Sequence, residues 1–271
     1  MPEIQLPTIR LYYEEHGDGS PLLCIHGTSS SAMVWGAAVE ELARLGRVIV
    51  YDRRGCIRSQ RPEPYLTTSV SEHADDAAAL LEALSATPAI VIGRSYGGEV
   101  AIDLALRYPE HVRALALLEP AVRSLSPAVR QWSEDLHERV KAAAAREIDA
   151  VAEVFLREVL GDATWEQFPE EVKRMFIANG PAILAEFAGG ELEVDTATLA
   201  RIDEPTLLVA ASDSPEPFRQ ITDAMASAMP HAQTALVGGG HMVNPAEPAV
   251  LSFIREVLAE QRPLGSHASA L

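Results

Sequence analysis

The feature that most restricts the fold is an alternation of short apolar runs with longer segments of helical period. Five runs are almost entirely apolar and occupy residues 22–25, 48–51, 89–92, 114–118 and 206–210. The segments with helical spacing occupy residues 32–45, 70–84, 97–108, 218–229 and 247–260. Strands that are apolar on both faces are typical of parallel sheets covered by helices on both sides. The sequence therefore predicts an α/β fold built on a parallel sheet.

The start of the chain has a different pattern. Residues 9–14 alternate apolar and polar side chains, which is typical of a strand with one exposed face. The sequence Gly17-Asp18-Gly19 follows and favours a turn. We therefore predict an antiparallel hairpin at the edge of the sheet.

Residues 123–199 contain no strand-like run. Their strongest pattern places apolar side chains every three or four residues from Val140 to Val159, which predicts one amphipathic helix. Prolines and Gly189-Gly190 divide the segment into about four helices. An insertion of this length predicts a lid over a site, with simple packing helices as the alternative. We therefore expect a core of residues 1–122 and 200–260, a helical cap of residues 123–199, and a disordered tail of residues 261–271.

Charge and composition exclude several classes of protein. The 271 residues carry a net charge of −17, which disfavours binding to nucleic acid or anionic lipid. No apolar run approaches the roughly 20 residues of a membrane helix, and the first ten residues do not resemble a secretory leader. We therefore expect a soluble, cytoplasmic protein with neither nucleic-acid nor membrane partners. Cys24 and Cys56 are predicted to be free thiols, and no metal site is indicated.

The most specific motif is the hexapeptide 93–98, Gly-Arg-Ser-Tyr-Gly-Gly, between a predicted strand and a predicted helix. A Gly-x-Ser-x-Gly turn needs glycines because the chain reverses so tightly that Cβ atoms would strike the strand and the helix. The turn exposes Ser95 at the carboxyl edge of the sheet. Ser95 is therefore the predicted nucleophile, and Arg94 beside it is expected to point away from the pocket as a structural donor.

A serine nucleophile needs a base, and the base needs an orienting carboxylate. Among the eight histidines, His241 follows Gly238-Gly239-Gly240 and a strand-like run, so it is the predicted base. His26 is interpreted as structural because His26-Gly27 is suited to shape a loop. The N–H groups of Thr28 and Tyr96 would then form an oxyanion hole, the second at a helix N-terminus.

With these motifs in place, the chain resembles the α/β-hydrolase superfamily from residue 9 to about residue 258. The resemblance rests on five segments, which are residues 24–27, 51–55, 93–98, 117–120 and 239–241. It implies an eight-stranded, mostly parallel sheet, a triad of serine, acid and histidine, no cofactor, and a lid inserted after the sixth strand.

The acid departs from the pattern of many relatives. The frame after the run 206–210 places Ser214 where an aspartate is expected, and Asp213 lies one residue early. Glu119 ends an apolar run and needs a buried partner for its charge, which a protonated His241 would supply. A glutamate at this place resembles certain lactone hydrolases and haloalkane dehalogenases. Glu119 is therefore the preferred acid, with Asp213 as the alternative.

Serine supports acyl chemistry, so hydrolysis of a carboxylic ester or lactone is the predicted reaction. The alternatives are a carbon–carbon bond hydrolase or a cofactor-free tailoring enzyme of secondary metabolism. A ligand receptor without activity is disfavoured because the triad is intact. The side chains expected to line an apolar pocket are Met33, Trp35, Trp132, Trp165, Phe176, Phe187 and Met242. Neither the substrate nor the oligomeric state follows from the sequence.

Overall fold

A computed structural model describes residues 2–260. It contains one eight-stranded sheet. The strands are β1 (Glu3–Gln5), β2 (Arg10–His16), β3 (Pro21–Ile25), β4 (Arg47–Tyr51), β5 (Ala89–Arg94), β6 (Val112–Leu118), β7 (Thr206–Ala211) and β8 (Gln233–Val237). Their order is β1-β2-β4-β3-β5-β6-β7-β8, and every pair from β4 to β8 in that order is parallel. The predicted fold class is confirmed.

The antiparallel strands lie at one edge, but their hairpin differs from the prediction. β1 pairs with β2, with Glu3 opposite Tyr12, and β2 pairs on its other side with β4. The turn at Gly17-Asp18-Gly19 leads from β2 into β3, and β4 lies between these two strands. The hairpin is therefore closed by residues 6–9, where Leu6 N–H donates to Ile9 O over 2.8 Å.

Eleven α-helices are present among residues 2–260. They are α1 (Ala38–Ala43), α2 (Val70–Ala83), α3 (Tyr96–Arg107), α4 (Pro127–Ala144), α5 (Ala150–Leu160), α6 (Asp162–Gln167), α7 (Glu170–Ala178), α8 (Gly180–Gly189), α9 (Thr196–Leu199), α10 (Glu216–Ala228) and α11 (Pro248–Ala259). The predicted helix at residues 32–45 is divided into a 3₁₀ turn, Ala32–Trp35, and α1.

Two apolar clusters form the core, one on each face of the sheet. Alternate residues of a strand point to opposite faces, so Ile90 and Ile92 of β5 belong to one cluster and Val91 to the other. The first cluster is completed by α1 and α11. The second is completed by α2, α3 and α10, and it continues into the helices that follow β6.

The segment between β6 and β7 contains only helices, α4 to α9, and one 3₁₀ turn. The sequence predicted about four helices here, and the structure has six. The single helix predicted from Val140 to Val159 is wrong because α4 ends at Ala144 and α5 starts at Ala150. Both helices bury apolar side chains in the same cluster, but Ile148, which continues the period across the break, is exposed.

Cys24 and Cys56 are both buried free thiols. Burial raises the pKa of each thiol to about 12, so neither is a ready nucleophile. Among residues 2–260, no helix is both long and apolar enough to cross a membrane. The tail predicted to be disordered, residues 261–271, lies outside the described residues.

Candidate active site

Ser95 lies in a sharp turn between β5 and α3, with a backbone φ of +55° and ψ of −123°. Three glycines make this turn possible. A Cβ on Gly93 would lie 2.5 Å from Gly97 O, one on Gly97 would lie 2.1 Å from Ile25 O, and one on Gly98 would lie 2.7 Å from Pro120 Cβ. Because such contacts are repulsive, larger residues would force the turn open. The strained backbone therefore holds the Ser95 hydroxyl at the carboxyl edge of the sheet.

The loop after β3 approaches Ser95 closely. A Cβ on Gly27 would lie 3.0 Å from Ser95 Cβ and 3.6 Å from Ser95 Oγ. Within residues 2–260, the N–H of Thr28, the next residue, donates to no acceptor. Tyr96 is the first residue of α3, where a backbone N–H has no partner within the helix. Both amides that the sequence assigned to an oxyanion hole therefore lie beside Ser95.

His241 follows β8 and is paired with Glu119 at the end of β6. Its Nδ1 lies 2.8 Å from Glu119 Oε2, and both side chains are buried. Because Glu119 occupies Nδ1, Nε2 is the nitrogen left to accept a proton. The Phe218 ring stacks on the imidazole with a centroid distance of 3.7 Å. Burial lowers the pKa of His241, an effect that Glu119 opposes and the Arg94 charge reinforces. Neutral His241, the form of a general base, is thereby favoured.

Glu119 is held firmly in this place. Its backbone has a φ of +47°, and its carboxylate accepts hydrogen bonds from Ala211 N–H at 2.8 Å and from Ser214 Oγ at 2.5 Å. Asp213, by contrast, is exposed and accepts a hydrogen bond from its neighbour Ser212. The structure therefore brings Glu119 to His241 and leaves Asp213 outside the site.

The His26 ring has a structural place in the loop. Its Nδ1 donates to Gly27 O at 2.8 Å, and its Nε2 accepts from Arg53 N–H at 3.0 Å. Burial and the Arg53 charge hold the pKa of His26 well below its usual range. With both ring nitrogens occupied and the ring neutral, His26 shapes the loop that carries Thr28.

Ser95 and His241 line one cavity of about 30 Å³. From the core it is lined by Gly27, Thr28, Ser30, Arg94, Ser95, His241 and Met242, and from α5 and α7 by Phe155, Leu156, Val159, Leu160 and Phe176. A more open groove of about 360 Å³ lies next to it and shares Phe176 and Met242. The segment between β6 and β7 thus contributes only apolar side chains to the cavity.

Of the residues expected to line the pocket, Met242 lines both the cavity and the groove, Phe176 does so as well, and exposed Met33 lines the groove. Trp35 and Trp132 were also predicted to line the pocket, but neither lines the cavity or the groove. Trp35 is buried in the core cluster with α1, beneath the Arg94 guanidinium.

Trp132 packs edge-on against Phe218 and donates from Nε1 to Glu158, so it lies behind the histidine rather than in the cavity. Trp165 and Phe187 are also absent from the lining and pack among the helices after β6. Arg94 lines the cavity, so the expectation that it points away from the pocket is wrong, although its Nη1 donates to Val243 O at 3.2 Å as a structural donor would.

The sequence reasoning missed one pair of residues beside the site. Arg53 and Glu186 form an ion pair of 2.7 Å, and their side chains are 0% and 1% exposed. Glu186 is the only charged residue of α8, whose other residues are apolar or glycine. A lone carboxylate in an apolar helix needs a buried partner, so the argument that indicated Glu119 also applies to Glu186.

Comparison with known proteins agrees with this architecture. Residues 20–248 match the family model described as alpha/beta hydrolase fold. RutD of Azorhizobium caulinodans, to which a carbamate hydrolase activity is ascribed, is 31% identical over 253 residues, which is 89% of this chain and 92% of RutD. A thermophilic esterase from Thermogutta terrifontis superposes with a TM-score of 0.76 and 26% identity, covering 96% of this chain and 99% of the esterase.

A 2-hydroxymuconate semialdehyde hydrolase from Pseudomonas sp. is 36% identical over 122 residues, or 44% of this chain and 43% of that enzyme. The chain therefore belongs to the α/β-hydrolase family and is a hydrolase. The names of these relatives cover different substrates, so the family alone does not choose the bond that is cleaved.

Proposed function

We propose that this hydrolase cleaves a carboxylic ester or a lactone through an acyl-enzyme on Ser95. His241 is the general base, Glu119 is the acid of the triad, and the N–H groups of Thr28 and Tyr96 form the oxyanion hole. The observation that carries the proposal is the shared cavity, which is lined by Ser95 and by a histidine whose Nδ1 is 2.8 Å from a buried carboxylate.

The groups account for each proton and bond of the reaction. Ser95 Oγ attacks the carbonyl carbon while its proton moves to His241 Nε2, and the carbonyl oxygen becomes an oxyanion facing two N–H donors. The carbon–oxygen bond of the substrate then breaks, and His241 returns the proton to the leaving alkoxide. Water repeats the sequence on the acyl-enzyme and releases the carboxylic acid, which leaves Ser95 protonated again.

The lining of the cavity favours an uncharged acyl group. The side chains from α5 and α7 are all apolar, and the only charged one in the lining is Arg94, which already donates to Val243 O. A substrate with a buried charge would need a compensating partner. We therefore place apolar esters and lactones ahead of anionic carbon–carbon bond substrates, and we assign residues 123–199 the role of a cap that closes the cavity.

A fluorophosphonate probe followed by a substrate panel tests the proposal. Wild-type protein should be labelled and should hydrolyse short-chain 4-nitrophenyl esters or simple lactones. Ser95→Ala should lose the label and reduce turnover by about 10³-fold or more. Ser212→Ala, at an exposed serine outside the cavity, is the matched control and should behave like wild type. Labelling that persists in Ser95→Ala would contradict the assignment of the nucleophile.

A further inference from the structure

A buried polar cluster connects helix α8 of the cap to the loop that carries Thr28. One oxygen of Glu186 accepts from Arg53 Nη2, and the other accepts from Thr28 Oγ1, each at 2.7 Å. Both carboxylate oxygens are therefore used, and the carboxylate lies between a core residue and the loop. Such a buried ion pair is stable only with close to complete hydrogen bonding, which restricts its geometry.

Arg53 transmits this restriction to the main chain of the loop. Its Nε donates to His26 O at 2.9 Å, and its Nη2 donates to Gly27 O at 3.0 Å. Gly27 C=O and Thr28 N–H belong to one planar trans peptide, so fixing the direction of the carbonyl also fixes the direction of the N–H. The Arg53 guanidinium also lies over the Tyr96 ring, 4.7 Å from its centroid.

Two further hydrogen bonds join the same loop to the cap. Ser29 Oγ donates to Phe176 O at 3.2 Å, and Asn179 Nδ2 donates to Ser30 O at 3.0 Å. These bonds fix the distance between the loop and the cap. Among residues 2–260, however, only Glu186 is hydrogen-bonded both to the Thr28 side chain and to the arginine that donates to Gly27 O.

We propose that Glu186 is a positioning residue that aims the Thr28 N–H at the oxyanion, through Thr28 Oγ1 on one side and Arg53 on the other. This inference rests on the proposed acyl chemistry at Ser95. It means that the oxyanion hole is complete only while α8 is seated on the core. Displacement of the cap would therefore lower the rate of the chemical step as well as open the cavity.

The test uses four variants of the full chain. Thr28→Val removes the hydroxyl at nearly constant volume and leaves the Arg53–Glu186 pair in place, whereas Thr28→Ser retains the hydroxyl. Glu186→Gln removes the charge that holds Arg53. Ser29→Ala removes a different hydrogen bond between the loop and the cap and is the control. Each kcat is calculated per active site, and the concentration of active sites is measured by titration to completion with the fluorophosphonate. Misfolded protein is thereby excluded from the rate.

Two ketones of the same skeleton separate the ground state from the oxyanion. A trifluoromethyl ketone forms a hemiketal oxyanion with a serine, whereas the methyl ketone binds without reacting. Thr28→Val and Glu186→Gln should lower kcat, and the affinity for the trifluoromethyl ketone, by about tenfold to a hundredfold. The loss is smaller than for removal of an oxyanion donor because the N–H is only displaced. KM and the affinity for the methyl ketone should change by less than about twofold. Ser29→Ala should stay within about threefold of wild type, and Thr28→Ser, which keeps the hydroxyl, should lose less activity than Thr28→Val.

The outcomes distinguish this inference from the proposed function. If wild type takes no fluorophosphonate label, the acyl chemistry itself is wrong. If wild type is labelled but Thr28→Val and Glu186→Gln both keep the wild-type kcat and ketone affinities, Glu186 has no positioning role. The inference would also be overturned if the affinities for both ketones fell equally, or if Thr28→Ser lost as much kcat as Thr28→Val. Either result would indicate a general change in the loop.

Discussion

Replacing Glu119 with glutamine separates the two candidate acids. The carboxylate presents one oxygen to Ala211 N–H and the other to His241 Nδ1 and Ser214 Oγ. An amide has only one acceptor oxygen, so its NH₂ group must face one of these donors. If the NH₂ group faces Ala211, it meets the Ala211 N–H, and two buried donors then oppose each other at a cost of about 1–3 kcal/mol. If the NH₂ group faces His241, it donates to Nδ1 and favours the tautomer with the proton on Nε2. In that tautomer Nε2 cannot accept a proton from Ser95.

Either arrangement reduces the population of competent His241. We expect Glu119→Gln to lower kcat by about 10² to 10⁴-fold, equivalent to about 2.7 to 5.4 kcal/mol of transition-state stabilisation. Asp213→Asn is the matched control from the neighbouring loop. Asp213 is exposed and contacts Ser212 rather than the histidine, so kcat should stay within about tenfold and stability should fall by at most about 2 kcal/mol.

The assay is steady-state hydrolysis of a 4-nitrophenyl ester across a range of pH, with urea unfolding curves for each variant. Glu119 raises the pKa of His241 by its hydrogen bond and its charge, so its removal should lower that pKa further. Because the base acts in its neutral form, the acidic limb of kcat/KM should move to lower pH while kcat falls. A folded Glu119→Gln enzyme with wild-type kcat, or a larger loss in Asp213→Asn, would refute the assignment.

Two further predictions concern the lining of the cavity. Arg94 lowers the pKa of His241, so Arg94→Met should raise that pKa and move the acidic limb of kcat/KM to higher pH. Arg94→Lys is the control and should leave the limb in place. If the limb does not move in Arg94→Met, this electrostatic effect is excluded. Leu160→Ala should enlarge the cavity and shift the preference among 4-nitrophenyl esters toward longer acyl chains, with Leu236→Ala, an exposed residue of β8, as the unshifted control. An unchanged preference in Leu160→Ala would mean that the acyl chain lies elsewhere, for example in the groove beside Met33.

The parallel core could be predicted because its signals are local. Each inner strand contains a continuous apolar run, and the Ser95 turn carries its three glycines within the six residues 93–98. The break between α4 and α5 has no such signal. Residues 145–149 contain neither glycine nor proline, and Ile148 continues the apolar period across them although its side chain is exposed in the structure. Where tertiary packing sets a helix boundary, periodicity alone does not reveal it.

Contacts between residues far apart in the sequence could not be predicted either. Arg53 and Glu186 are 133 residues apart, and nothing near Arg53 indicates its partner. The pocket aromatics failed for a related reason. Trp35 and Trp132 have the size and polarity of pocket residues, but a tryptophan fits equally well in a core or against another buried aromatic ring. Composition identified the kind of side chain, and only the fold decides which of them reach the cavity.

The position of Ser214 allows the acid to be moved. Its hydroxyl lies 2.5 Å from the carboxylate oxygen that contacts His241, and an aspartate at position 214 would extend toward that oxygen's place. In Glu119→Ala the histidine loses its partner, so kcat should fall at least as far as in Glu119→Gln. In Glu119→Ala/Ser214→Asp the new carboxylate can fill the vacated space beside Nδ1, and we expect at least about tenfold of the lost kcat to return.

Ser214→Asp alone is the informative control for this exchange. It would place two carboxylates side by side, and their repulsion should raise the pKa of one of them and lower the stability of the folded protein. The gain in the double variant should therefore be absent from the single one. If the double variant folds but is no faster than Glu119→Ala, then proximity of a carboxylate is not sufficient. The constrained backbone of Glu119, with its φ of +47°, would then be required to orient His241.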